Sequence, residues 1–122
     1  MRFYICRHCG NIVAYVRNTG VPVMCCGEKM AELVPNSTEA SEEKHLPVVR
    51  REGAQLVVSV GSAAHPMQPE HYIEWVALQT RRGNQRIALQ PGSAPEVRFC
   101  VPEDDEPEAV FAFCNLHGLW KA

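Results

Sequence analysis

The sequence predicts a mainly β protein in two parts: a small N-terminal unit organised by cysteines, then a β-sandwich of immunoglobulin-like architecture. Three observations predict it. Four of the six cysteines, Cys6, Cys9, Cys25 and Cys26, crowd the first 26 residues, whereas four of the five histidines, His45, His65, His71 and His117, lie after residue 44. Beyond that point short segments rich in β-branched and aromatic residues alternate with turn signals. No stretch carries a convincing 3.6-residue period of the kind an amphipathic helix shows.

Taken in order, residues 1–35 read as one small unit. "YIC" is a short strand, "CRHCGN" a turn, "IVAYVRN" a second strand, "TGVPV" a connection and "MCCGEKM" a second turn. So short a unit buries too little apolar surface to fold unaided, and it needs a metal or a partner surface. "VPNSTEASEEK", at 34–44, is polar and reads as a linker or surface loop leading into the second part, 36–122. There "QLVVSV" (55–60) is a β-branched strand. "YIEWVALQT" (72–80) and "QRIALQ" (85–90) flank "RRGN", a hairpin connection containing Gly83. "EVRFCV" (96–101) and "AVFAFC" (109–114) are two further strands, parted by the acidic "PEDDEPE", a solvated turn.

Bulk properties narrow the function classes. With 122 residues, 46% of them hydrophobic and 21% charged, the chain has the composition of a soluble globular protein of about one ordinary domain plus a small one. A formal net charge of −2 gives no general attraction to nucleic acid or to an anionic membrane. No apolar run approaches the ~20 residues of a spanning helix. "MRFYICRHCGN" has no apolar stretch followed by a small-residue cleavage site, which argues against a signal peptide. The expected compartment is the cytoplasm, where thiols stay reduced and clustered cysteines more often bind metal than pair as disulfides.

Cys6-x-x-Cys9 and the adjacent Cys25-Cys26 form a four-thiolate set on two turns. Each turn lets two sulfurs converge on one ion, and tetrahedral thiolate coordination suits iron or zinc. Two disulfides fit poorly, because adjacent cysteines make a strained bridge. Spacing does not choose between the two metals. His8, inside the first turn, is expected to point to solvent.

A second set is dispersed. His45 lies in "EEKHLPVV". His65 directly precedes Pro66, whose ring pushes the preceding backbone toward an extended form, so that histidine sits on a stiff loop. His71 starts the strand "YIEWV", Cys114 ends a strand, and His117 occupies the turn after it. All are expected at strand ends or in loops, where a sandwich can gather residues distant in sequence. Singly, each histidine reads as a surface or packing residue. Together with a terminal Cys-x-x-His they are a ligand supply for a second metal, and nitrogen-rich coordination with one thiolate suits iron or copper.

The motifs "CRHCGN" with "CCGEKM", "EEKHLPVV", "HPMQPEHYIEWV" and "FCNLHGLW" resemble those of desulfoferrodoxin, the two-iron form of superoxide reductase, along essentially the whole chain. The resemblance implies a desulforedoxin-like (rubredoxin-like) first domain holding ferric iron through Cys6, Cys9, Cys25 and Cys26. It also implies an immunoglobulin-like domain holding a square-pyramidal iron, with His45, His65, His71 and His117 equatorial and Cys114 axial. It further implies a homodimer, and a small electron donor such as rubredoxin. Cys100 matches no ligand of the family and, as a strand residue, is expected to be a small buried hydrophobe.

The implied reaction is one-electron reduction of superoxide to hydrogen peroxide at the position left open by five ligands. Lys44 is the implied electrostatic guide, and Glu43 the carboxylate that closes the open position after product leaves. The first iron has at most an accessory electron-transfer or structural role. Two rivals stand beside this reading: a superoxide dismutase, which returns dioxygen, and a non-catalytic iron- or zinc-binding electron-transfer protein.

Overall fold

A computed structural model describes all residues, Met1–Ala122. The chain divides into two compact units, Met1–Val34 and Pro35–Ala122.

In the first unit β1 (Phe3–Ile5) pairs antiparallel with β2 (Ile12–Ala14) on one side and β5 (Ala31–Leu33) on the other. The expected second strand, 12–18, stops at Ala14 because β1 offers only three pairing residues. The expected second turn is a tight hairpin, β3 (Met24–Cys25) against β4 (Glu28–Lys29). Its two loop residues, Cys26 and Gly27, have φ of 51° and 79°, and positive φ at both centres is what a type I′ hairpin loop requires. Cys26 therefore accepts a conformation that side chains disfavour, and the hairpin presents it beside Cys25.

The second unit is a sandwich of two antiparallel sheets. One has the order β10 (Glu96–Cys100), β7 (Gln55–Val60), β6 (Pro47–Glu52). The other has the order β12 (Gly118–Lys121), β11 (Pro107–Cys114), β8 (Ile73–Thr80), β9 (Asn84–Ala88). Both sheets feed one core: Leu56, Val58 and Val60 from β7, Val97 and Phe99 from β10, Ile73, Val76 and Leu78 from β8, and Val110, Ala112 and Cys114 from β11. Strands β6 and β12 were not expected. Apart from Pro47, β6 is exposed along its length, so it lacks the alternation that marks a half-buried strand. β12 is only "GLWK".

Two further expectations are corrected. Cys100 is exposed: β10 alternates strictly, turning Val97 and Phe99 inward and Glu96, Arg98 and Cys100 outward. The polar segment expected as a linker or surface loop is an irregular, largely exposed loop as far as Ser41, but it is tethered and does not stay a loop to its end. Asn36 accepts the Lys121 N–H at 2.8 Å and donates to the Lys121 carbonyl at 3.1 Å, which ties this segment along the edge of β12. The segment then forms α1 (Glu42–His45), a single helical turn.

The core of the sandwich carries the scaffold's stability. Leu78 is fully buried in it, and Leu→Ala at such a site costs about 2–5 kcal/mol through lost transfer energy and a residual cavity. Leu78→Ala should lower the unfolding free energy by that amount, read as a lower urea midpoint with an unchanged m-value; a variant with wild-type midpoint would contradict the assignment of the core.

Candidate metal centre

The first cluster is assembled by the Cys6–Asn11 turn and the β3–β4 hairpin. The turn closes through Cys6 N–H to the Asn11 carbonyl (2.8 Å) and Gly10 N–H to the Cys6 carbonyl (2.9 Å). The sulfurs of Cys6, Cys9, Cys25 and Cys26 all lie within 4.8 Å of one another. Backbone N–H groups of Cys9 and His8 pull the Cys6 thiol down to about 6, the first through its larger contribution. The crowding thiols of Cys6 and Cys9 push Cys26 up to about 12. Four sulfurs so close cannot all ionise without a cation, and a divalent or trivalent ion would release their protons on binding. Asn11, silent in the sequence reading, donates from its backbone to Cys9 Sγ (3.5 Å) and from its amide to Cys25 Sγ (3.8 Å). His8 faces out and meets Glu28 at 3.2 Å.

The second cluster lies at one end of the sandwich. His45 is the last residue of α1, on a helical turn rather than in a loop. His65 follows the turn after β7, and His71 lies just before β8. Cys114 ends β11, and His117 sits in the three-residue loop to β12. That loop returns through Gly118, at φ 77°, which pairs with Cys114. The strand ladder also shifts at this point: Phe113 opposes Trp75, but Cys114 opposes Ile73, so Glu74 is bulged out. On β8 the core face accordingly passes from Val76 to Ile73 rather than to Glu74, the local re-aiming that a bulge produces.

The four imidazoles form a ring. Neighbouring centroids are 4.6 Å apart for His45–His65, 4.7 Å for His65–His71, 5.1 Å for His71–His117 and 4.9 Å for His117–His45. Across the ring, His45 and His71 stand 6.5 Å apart. Near-equal edges and a longer diagonal describe a square. The sulfur of Cys114 lies within 4.8 Å of the donor atoms of His45, His65 and His71 and 3.9 Å from His117 Nδ1. All five predicted ligands are therefore together.

Which nitrogen faces inward follows from the outward contacts. His45 Nδ1 is 2.7 Å from the Ser41 carbonyl, and His65 Nδ1 is 2.7 Å from the Pro66 carbonyl. A carbonyl only accepts, so both Nδ1 atoms carry hydrogen and both Nε2 atoms present lone pairs. Yet those Nε2 atoms face each other at 3.1 Å. His45 Nε2 also stands 3.1 Å from His117 Nδ1, and the buried Nε2 of His71 has no hydrogen-bond partner. Converging lone pairs of this kind suit a cation bound to all of them. Three Nε2 atoms, one Nδ1 and one sulfur are a donor set that suits iron or copper.

Two residues that the sequence reading passed over hold this ring. Trp120 stacks on His45 (4.8 Å, 26°) and donates from Nε1 to the His117 carbonyl at 3.1 Å. Asn115 accepts the Tyr72 N–H at 2.9 Å and donates to the Glu70 carbonyl at 3.0 Å, bracketing His71 from both sides. Burial dominates the electrostatics. It lowers the imidazoles of His45 and His71 and takes His65 to about 4, and it raises the Cys114 thiol against the pull of the His117 and Leu116 N–H groups.

The desulfoferrodoxin family profile matches residues 37–122. Desulfoferrodoxin from Nitratidesulfovibrio vulgaris is 41% identical over 119 residues, spanning 98% of this chain and 93% of that protein. The crystal structure of the superoxide reductase from Treponema pallidum superposes with a TM-score of 0.83 at 39% identity, covering 98% of each chain. The one-iron superoxide reductase from Giardia intestinalis superposes with a TM-score of 0.55 at 30% identity, covering 66% of this chain and 95% of that one.

The lowered imidazoles set a pH dependence for the metal-free protein. An unfolded histidine takes up its proton near 6.5, whereas folded His65 does so only near 4. Between those values the unfolded state binds more protons, so stability falls as pH descends through that window and levels off on either side. The thermal midpoint of metal-free protein should follow this course, and His65→Asn should weaken the dependence while His45 and His71 keep part of it; a midpoint indifferent to pH from 6.5 to 4 in the parent protein would contradict the buried, neutral histidine ring.

Proposed function

The chain belongs to the desulfoferrodoxin family, and from that membership and the histidine–cysteine centre we infer that it is a superoxide reductase. The observation that carries the reading is the square of four imidazoles with the Cys114 sulfur beside it. The four-cysteine and histidine–cysteine groups match the two iron sites of that family.

We assign the first iron to Cys6, Cys9, Cys25 and Cys26, and the second to His45, His65, His71 and His117 with Cys114. Iron bound at the second centre supplies one electron by passing between its ferrous and ferric states. The residues do the rest. Carbonyl contacts at Ser41 and Pro66 fix two rings as neutral donors, and the indole of Trp120 and amide of Asn115 keep two others from turning away. Five protein donors would hold an iron there, and superoxide would have to reach it from a side they do not occupy. Each turnover joins one superoxide, one electron and two protons into hydrogen peroxide, with no dioxygen formed.

Lys44 and Glu43 are both exposed, directly before buried His45. The Lys44 charge is felt at the ring, where it adds to the lowering of His45 and His71. In a protein of net charge −2, a cation held there draws superoxide toward the centre and raises the rate of encounter. Glu43, the residue before Lys44, is assigned from the family resemblance as the carboxylate that would cap the centre when no substrate or product is there.

The proposal places the protein in the cytoplasm as a homodimer, reduced by a small one-electron donor such as rubredoxin. Reduced thiolate sites support the compartment, and family resemblance supports the dimer and donor. No helix is long and apolar enough to cross a membrane.

Two outcomes check this reading. With a reductant present, each superoxide consumed should give one hydrogen peroxide and no dioxygen; dioxygen evolution without need of reductant would make the protein a dismutase instead. Lys44→Ala should slow the reaction of the ferrous protein with superoxide about tenfold at low salt and flatten its ionic-strength dependence. Pulse radiolysis measures both, and an unchanged rate would remove Lys44 from the mechanism.

A further inference from the structure

The Glu43–Lys44 peptide is held from two sides. Within its own turn the Lys44 N–H donates to the Ser41 carbonyl at 3.3 Å, but α1 has only four residues and Ser41 gives it no side-chain cap. The turn after β7 holds the other side. The Glu43 carbonyl accepts the Ala63 N–H at 2.9 Å and the Ser62 hydroxyl at 3.2 Å. Gly61 comes closer still: a Cβ there would lie 2.5 Å from the Glu43 carbonyl oxygen and 2.9 Å from the carbonyl carbon of Lys44. Those are backbone atoms, which cannot swing aside as the end of a side chain can. Gly61 is not among the glycines with positive φ; the close approach of the two backbones is what leaves no room for a side chain there. The same turn leads to His65, whose N–H bonds back to the Val60 carbonyl at 2.9 Å. One short segment thus presents a ring ligand and abuts the peptide that carries Lys44.

We propose that Gly61 is a positioning residue for superoxide capture: its missing side chain lets the 61–63 turn seat against the Glu43–Lys44 backbone and so sets where Lys44 leaves the chain next to the ligand His45. The inference rests on the reading of Lys44 given above. Any β-carbon at position 61 forces the two backbones apart. Displacements of about 1 Å in a positioned group can cost on the order of a hundredfold in rate. Gly61 touches neither substrate nor iron in this scheme. It acts through Lys44, and a double-mutant cycle exposes such an indirect role.

The test uses full-length, iron-loaded, reduced protein and superoxide generated by pulse radiolysis over a range of ionic strength. Parent, Gly61→Ala, Lys44→Ala, the double variant and Ser62→Ala are compared, with iron content measured for each. Gly61→Ala should retain both irons, lose at least about threefold in rate at low salt and lose most of its salt dependence. In the Lys44→Ala background the same substitution should change the rate little. A Gly61→Ala protein with full iron and parental rate and salt slope overturns the inference, as do losses that simply multiply in the double variant. Should Gly61→Ala fail to hold iron, Ser62→Ala decides, since it removes one bond to the Glu43 carbonyl and adds no bulk. It should weaken the salt dependence with iron intact, and parental behaviour overturns the inference. A parent protein that does not reduce superoxide sinks the functional reading itself. A reducing parent beside an unaffected Gly61→Ala sinks only the role of the glycine.

Discussion

Two imidazole nitrogens, each made an acceptor by the carbonyl behind it, face each other at 3.1 Å. Alone, that arrangement repels; with a cation shared between them and two further rings, it is a site. The Ser41 and Pro66 carbonyls settle the tautomers before any metal arrives, which lowers the reorganisation needed on binding. The centre is therefore built into the protein's hydrogen bonding, and the sandwich beneath it serves to bring five distant positions to that geometry.

The scaffold does this with few devices. A bulge at Glu74 shifts the β8–β11 register by one residue just where β11 ends at the buried Cys114. A three-residue hairpin loop closed by Gly118 then places His117 beside it. Trp120 lies opposite Ala112 in the next ladder and so on the core face, from which its ring reaches His45. α1 and the turn after β7 bring in His45 and His65, and their backbones meet at Gly61. Each device is local, yet together they bring five donors from distant parts of the chain to one place.

The sequence made much of this readable, and the reasons differ from residue to residue. Cys6, Cys9, Cys25 and Cys26 were legible because paired thiols on turns have few other uses in a reduced protein. The dispersed histidines were ambiguous one by one and gained meaning as a set. β7 and β8 were legible from their β-branched and aromatic residues, whereas β6 was hidden by its exposed, charged sequence. Cys100 was misjudged because membership of a strand says nothing about which face a residue takes; the neighbours Val97 and Phe99 would have told. The carbonyls of Ser41 and Pro66 could not have been found, since every residue has one. Gly61 could not either, because its importance lies in a backbone 18 residues away in sequence, Glu43.

Anaerobic crystallography of the reduced, iron-loaded protein with data collected at the iron edge tests the central claim most directly. The account predicts one anomalous peak in the second unit, ligated by Nε2 of His45, His65 and His71, Nδ1 of His117 and Sγ of Cys114, with its remaining side toward Lys44. A peak held by fewer of these imidazoles, or one from which the Cys114 sulfur turns away, would contradict it.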